Sequence, residues 1–295
     1  MDKENIQRLI DQLNNDASTA FPYIQHHDKP LPSLLKIGEM IDLIRSVVFP
    51  AYFGDTHVRH RMLDHHIGIC LEKIYDILTG EIHSSLSLDE QSGGCGDNRS
   101  RGAELAARFV DSLPHIKYLL STDVKAIFDG DPAAESYGEV ILCYPSIRAL
   151  LNHRVAHKLF ELGVPVLPRV IAEMAHSETG IDIHPGARIG EYFAIDHGTG
   201  AVIGKTAIIG NHVRIYQGVT LGAKSFSVDE NGKLIDEPRH PVLEDRVIIY
   251  SNTSVLGRVT IGAGSIIGGN IWLTQSVPPN SRIMQQPSKY EKDIL

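Results

Sequence analysis

The chain has 295 residues, with 28 Lys and Arg against 36 Asp and Glu, and so a net charge of −8. An acidic balance excludes general binding to nucleic acid or to anionic membranes, which needs a basic stripe. At 42% hydrophobic and 22% charged residues, the composition is that of a globular chain with a sizeable core, and the length suggests two domains.

The N-terminal stretch MDKENIQRLIDQLNND is polar and acidic, unlike a secretory signal or an Arg-rich transit peptide. No run of about eighteen apolar residues predicts a membrane span. Cys70, Cys95 and Cys143 are far apart and lack metal spacing; they read as reduced thiols of a cytoplasmic protein. Apolar residues at three- and four-residue spacing predict helices over Asn5–Asn14, Val58–Thr79, Arg101–Phe128 and Ser146–Leu162. Pro114 is expected to split the third, and Pro165 to open a further helix running towards Ala175. The Gly93–Arg101 stretch reads as a loop between helices. The boundary falls near Ser177–Gly180, giving a helical domain over 1–178, a second domain over 179–280 and a short tail over 281–295.

The second domain has a fixed period. Of the 26 glycines, 15 lie between Gly180 and Gly269, which argues against helix. Ile183, Ile189 and Ile195 are six apart, as are Ile203, Ile209, Ile215 and Leu221, and again Leu243, Ile249, Val255, Ile261, Ile267 and Leu273. Gly often follows the aliphatic residue, and a small or β-branched residue often stands four further on. A six-residue period implies short strands separated by turns, three to a coil, with the aliphatic residue inside a narrow prism: a hexapeptide parallel β-helix.

Two interruptions break the period, and in a solenoid insertions map to the surface, often the binding surface. Ile195 to Ile203 is eight residues, the extra ones falling in Asp196–Gly200 (DHGTG); Leu221 to Leu243 is 22, which inserts an arm over roughly Ala223–His240. Each interruption carries His beside Asp or Arg. His197, flanked by glycines that permit close approach of a ligand, is a candidate general base for an alcohol. Such a base needs a carboxylate to hold its tautomer. Asp196 is adjacent, and Asp182 lies 15 residues upstream, nearly one 18-residue coil away. Arg239 offers a fork for a carboxylate, with His240 beside it. The solenoid histidines His184, His197, His212 and His240 lack chelating spacing, so no metal is expected. His57, His60, His65, His66 and the His153/His157 pair read as solvated or hydrogen-bonding groups. No phosphate-binding glycine loop opens a helix.

The run GIDIHPGARIGEYFAIDHGTGAVIGKTAIIG, followed by GVTLGA and RHP, resembles the serine O-acetyltransferases of cysteine biosynthesis. The resemblance covers roughly Asp131 to Pro279 and includes Asp131-Pro132-Ala133, which is similar to an element near the end of that family's helical domain. It implies a left-handed β-helix and acetyl transfer from acetyl-coenzyme A to the hydroxyl of L-serine. By match, His197 is the base and Asp182 its partner; Asp131 and Asp196 hold the serine amine, and Arg239 and His240 its carboxylate side. Coenzyme contacts are carried over to Gly222, Ala223, Ser251 and Gly269, between adjacent subunits. The resemblance further implies a trimer or dimer of trimers, with the helical domain oligomerising, and inhibition by L-cysteine. It also implies docking of a C-terminal tail into O-acetylserine sulfhydrylase, although this chain ends Asp293-Ile294-Leu295.

Three departures stand out: Ala223-Lys224-Ser225 where the family has Gly and Thr, Lys205 where it has Glu, and Met284-Gln285-Gln286-Pro287 after the last coil. The rival readings are a related O-acyltransferase acting on a sugar or another hydroxylated acceptor, and a non-catalytic scaffold that binds the sulfhydrylase. Asp131, Arg239 and the DHGTG loop favour an amino-acid acceptor, and retention of His197 with its aspartates disfavours the scaffold.

Overall fold

A computed structural model describes residues 2–13, 30–54, 62–88 and 98–286. Its helices are α1 (Lys3–Leu13), α2 (Leu34–Val48), α3 (Pro50–Phe53), α4 (Leu63–Leu88), α5 (Asn98–Val110), α6 (Leu113–Gly130), α7 (Tyr137–Cys143), α8 (Pro145–Glu161) and α9 (Leu167–Thr179). None of the described helices is long and apolar enough to cross a membrane.

The expected split at Pro114 occurs, because a proline without an N–H fits the first turn of α6. Of the expected Gly93–Arg101 loop, Asn98–Arg101 belong to α5, and the rest lies outside the described residues. Pro165 does not open α9. The residue after it, Val166, takes a left-handed φ of 62°, so the helix starts at Leu167 with Pro168 in its first turn. Helices α2, α3 and α7 were not anticipated. The first of these is capped by the Ser33 hydroxyl, which accepts from the Lys36 N–H, and buries Ile37, Met40, Ile41 and Ile44. Cys70 is buried and Cys143 exposed, both as free thiols; Cys95, His57, His60 and the C-terminal Ile294-Leu295 lie outside the described residues.

Gly180, left-handed at φ 70°, ends α9, and the solenoid begins two residues later. Its strands are β1 (Asp182–Ile183), β2 (Arg188–Ile189), β3 (Ala194–Asp196), β4 (Val202–Ile203), β5 (Ile208–Ile209), β6 (Arg214–Tyr216) and β7 (Thr220–Gly222). After the arm come β8 (Val242–Leu243), β9 (Ile248–Ile249), β10 (Ser254–Leu256), β11 (Thr260–Ile261), β12 (Ile266–Ile267), β13 (Trp272–Leu273) and β14 (Arg282–Ile283). They stack as three parallel sheets: β1-β4-β7-β10-β13, β2-β5-β8-β11 and β3-β6-β9-β12-β14.

The register pairs the periodic residues themselves. Ile183, Ile203, Leu221, Val255 and Leu273 form one inward column, and Ile195, Ile215, Ile249 and Ile267 another. All but Leu273 are buried, as a period of six in three short strands demands. The whole is an N-terminal α-helical domain on a left-handed parallel β-helix of about five turns. The arm leaves the corner between the first two sheets and is itself a small hairpin. Val228 bridges Leu234, and the Asp229 carboxylate accepts from the Asn231 and Lys233 N–H groups at its turn.

The helical domain is fastened to the first coil by a buried ion pair. Asp123, fully buried in α6, faces Arg154 of α8 at 2.9 Å. Arg154 also donates to the Ile189 and Gly190 carbonyls, and the Phe193 N–H donates to Asp123. Burial pushes the Asp123 carboxyl up, while the guanidinium and the Phe193 N–H pull it back. Removing one partner strands a buried charge, at a cost of about 3–5 kcal/mol. Arg154→Met is therefore expected to lower unfolding free energy by about that much in denaturant titrations, and Asp123→Leu in the same chain to restore most of it. A cost below about 1 kcal/mol would contradict the pair's role as the dock.

Candidate active site

The prism has three corners, and the candidate residues occupy two of them. At the corner between the third and first sheets, β3 ends in Asp196 and the chain turns through His197–Gly200. His197 takes φ 54°, with Gly198 and Gly200 also left-handed. A Cβ on Gly198 would meet the Ile181 side chain, so this tight turn needs glycine. The turn carries the His197 ring outward, its side chain 76% exposed, with Nε2 3.9 Å from Asp196 Oδ1.

Asp131 reaches the same region from the helical domain. It caps the C-terminus of α6, where its backbone N–H donates to the Ile127 carbonyl. Its Oδ2 accepts from the Tyr144 hydroxyl at 2.6 Å and its Oδ1 from the Ala133 N–H at 2.9 Å. These bonds hold the Asp131 carboxyl below its usual range, helped by the nearby charges of His197 and Arg214. The phenol of Tyr144 is pushed up to about 12, first by its bond to Asp131, with Asp196 adding to the effect. Arg214 of β6 donates to the Ala126 and Gly130 carbonyls and so fixes the helix end that carries Asp131. The charge of His197 acts on Asp131 and that of Asp196 on Tyr144, so Asp131, Asp196 and His197 face one region. Ser251 and Gly269 stack in the same corner, where the Asn270 N–H donates to the Ser251 carbonyl.

Asp182 projects from β1 beside this corner. No hydrogen bond or ion pair joins it to His197. Its carboxylate lies instead with Glu173 and His176 of α9, their ligand-type atoms all within 4.8 Å of one another. The carboxylate nearest His197 in this conformation is Asp196.

Arg239 and His240 stand at a different corner, between the first and second sheets, where the arm returns to the prism. His240 is buried, and its Nδ1 lies 2.8 Å from the Thr206 hydroxyl. A Cβ on Gly204 would overlap its ring, so glycine makes the room for it. Burial, then Arg239 and Arg258, lowers its pKa. The Arg239 guanidinium lies 5.5 Å over the Phe226 ring and 3.9 Å from Asp236, with Nε buried and unpartnered. Lys205 holds Asp236 of the arm at 2.7 Å. Gly222 and Ala223 open the arm at this corner. Within one chain, therefore, the structure does not bring Arg239, His240, Gly222 or Ala223 to His197.

Tyr144, Arg214 and the Glu173–His176 pair are not among the residues the sequence singles out: Arg214 is 84 and 88 positions from the carbonyls it holds, and only the Tyr144-Pro145 step, which ends α7 and starts α8, gives a local signal. The arm corner also contains His184, whose Nδ1 accepts from the Gly186 N–H. Burial, then Arg169, Lys205, His240 and Arg239, brings its pKa down from 6.5 to about 4.

A helical cap thus sits on a hexapeptide solenoid that presents an imidazole at one corner beside a carboxylate. The plasmid-encoded serine acetyltransferase of Synechococcus elongatus is 47% identical over 288 residues, 95% of this chain and 90% of that protein. The crystal structure of serine acetyltransferase isoform 3 of Entamoeba histolytica, in complex with cysteine, superposes with a TM-score of 0.73 at 32% identity, covering 98% of this chain and 94% of that one. That of the Brucella abortus serine acetyltransferase in complex with coenzyme A gives 0.55 at 25% identity, over 85% and 94%. No family model matches the chain. The chain belongs to the serine acetyltransferase family.

His184 is native in its neutral form, because its folded pKa is depressed. Protonation therefore favours the unfolded chain, and stability falls as pH drops from 6.5 to about 4. NMR titration is expected to show its ring uncharged at pH 5.5, and His184→Gln to flatten the decline of stability with acid. A ring that titrates near 6.5 would contradict this.

Proposed function

We propose that the protein transfers the acetyl group of acetyl-coenzyme A to the hydroxyl of L-serine, releasing coenzyme A and O-acetylserine. The observation that carries the reading is the convergence of Asp131, Asp196 and His197 from two domains onto one corner. Two carboxylates suit an ammonium, and an exposed imidazole beside them suits the removal of a proton from a neighbouring hydroxyl. Membership of the serine acetyltransferase family supports the acceptor and the coenzyme.

In this mechanism the serine ammonium sits between Asp131 and Asp196. His197 takes the hydroxyl proton as the serine oxygen attacks the thioester carbonyl, and returns it to the departing coenzyme A sulfur. Asp182 is assigned the orientation of the imidazolium by the family pattern, with Asp196 the carboxylate already nearest. Arg239 is assigned the serine carboxylate and His240 a donor role towards the carbonyl oxygen. Gly222, Ala223, Ser251 and Gly269 line the coenzyme's path. Because the residues split between two corners, the complete site is formed where the arm corner of one subunit meets the His197 corner of the next. The family resemblance implies that this assembly is a homotrimer through the prism, alone or doubled through the helical domain. L-cysteine, which has the same amine and carboxylate as L-serine, is expected to compete for the site, as the cysteine complex of the Entamoeba relative supports. The free thiols Cys70 and Cys143 favour a cytoplasmic setting.

The test is thiol release from acetyl-coenzyme A with L-serine, L-homoserine, L-threonine and simple sugars in parallel. Rapid release with L-serine alone, suppressed by L-cysteine, is expected; release with none of the amino acids would move the reading to another acceptor or to a scaffold. His197→Ala is expected to lose about 10²–10⁴-fold in turnover while light scattering finds the assembly intact, since the ring lies outside the packed interior. Unchanged turnover would remove the base assignment. Arg239→Ala is expected to raise the KM for serine about tenfold or more and that for acetyl-coenzyme A far less; equal rises would contradict the carboxylate role.

A further inference from the structure

We propose that Tyr144 is a positioning residue for acceptor binding: its phenol fixes the Asp131 carboxylate so that the acceptor's ammonium meets a pre-aimed anion. This rests on the reading of Asp131 as the amine-binding group. Asp131 caps the C-terminal end of α6, where the carbonyl end of the helix disfavours a carboxylate. Three contacts offset that location. Arg214 occupies the Ala126 and Gly130 carbonyls, the Ala133 N–H binds Oδ1, and the Tyr144 O–H binds Oδ2. Each carboxylate oxygen accepts one of these bonds and has two lone pairs, so one on each remains for a cation.

Tyr144 is itself held. It precedes Pro145, which confines it to extended backbone, and its φ of −83° and ψ of 118° lie there. The phenol is therefore presented from a rigid junction between α7 and α8. Asp131 and Asp196 both oppose its ionisation, so it remains a donor throughout the neutral range. Of the three contacts, the tyrosine hydroxyl is the one a side-chain change can remove without disturbing the chain's path.

The experiment measures steady-state kinetics of the full-length protein with L-serine and acetyl-coenzyme A for Tyr144→Phe, Asp131→Asn, the double variant and Tyr144→His. Loss of one hydrogen bond to a charged group is expected to raise the serine KM about tenfold in Tyr144→Phe. The kcat and the acetyl-coenzyme A KM should stay within about twofold, since neither is set by that bond. In the Asp131→Asn chain the Phe change should add nothing, because its target is gone. Tyr144→His, which keeps an N–H donor, should recover part of the serine KM, and supplies the test if the Phe variant fails to fold. A raised serine KM in Asp131→Asn with none in Tyr144→Phe would overturn this inference alone. Equal changes in kcat and both KM values would reduce Tyr144 to a structural role. An unchanged serine KM in Asp131→Asn would overturn the amine assignment and this inference with it.

Discussion

The buried contact between Arg154 and Asp123 is the constraint on which the site depends. A guanidinium and a carboxylate withdrawn from water are stable only with good geometry and further hydrogen bonds, and here those bonds come from the other domain. Arg154 reaches the carbonyls of Ile189 and Gly190, while Asp123 takes the N–H of Phe193. Satisfying the pair therefore seats α6 and α8 against the first coil in one way. Asp131, the cap of α6, lies about two turns beyond Asp123 along the same helix, so its place beside the Asp196 turn follows from that seating. The clamp of Arg214 on the end of α6 completes it.

The prism imposes a second constraint. A hexapeptide coil has three flat faces and exposes chemistry only at its corners, where turns and insertions are tolerated. The turn bearing His197 and the arm bearing Arg239 interrupt different corners of one chain. A single subunit thus presents an imidazole with carboxylates at one edge and a cationic edge at another. Joining them calls for a second copy, which makes assembly a condition of the proposed chemistry rather than an addition to it.

The arm corner is held by a charge pair of its own: Lys205 of the prism meets Asp236 of the arm. Burial first, then the charges of Arg169, Lys205 and Arg239, oppose protonation of His184. Lys205 therefore ties the arm to the prism and adds to what keeps a neighbouring imidazole neutral.

The solenoid was legible from sequence because its rule is local. One aliphatic residue in six must fill the prism, and each departure from that count marks a surface insertion, so Ile183 through Leu273 announce the fold and the DHGTG turn and the arm announce where function lies. Most of the longer helices are legible for the same reason, whereas α3 and α7 are too short to show a period. What only the tertiary structure decided is which distant groups meet. Asp123 and Arg154 are separated by 31 positions and Asp131 and Tyr144 by 13, and no periodicity links them, because the contact depends on how two helices cross a coil. Nor does sequence spacing reveal that Asp182 turns to α9 while Asp196 lies nearest His197. A period places side chains along one axis; only packing across the domain junction sets the distances between them.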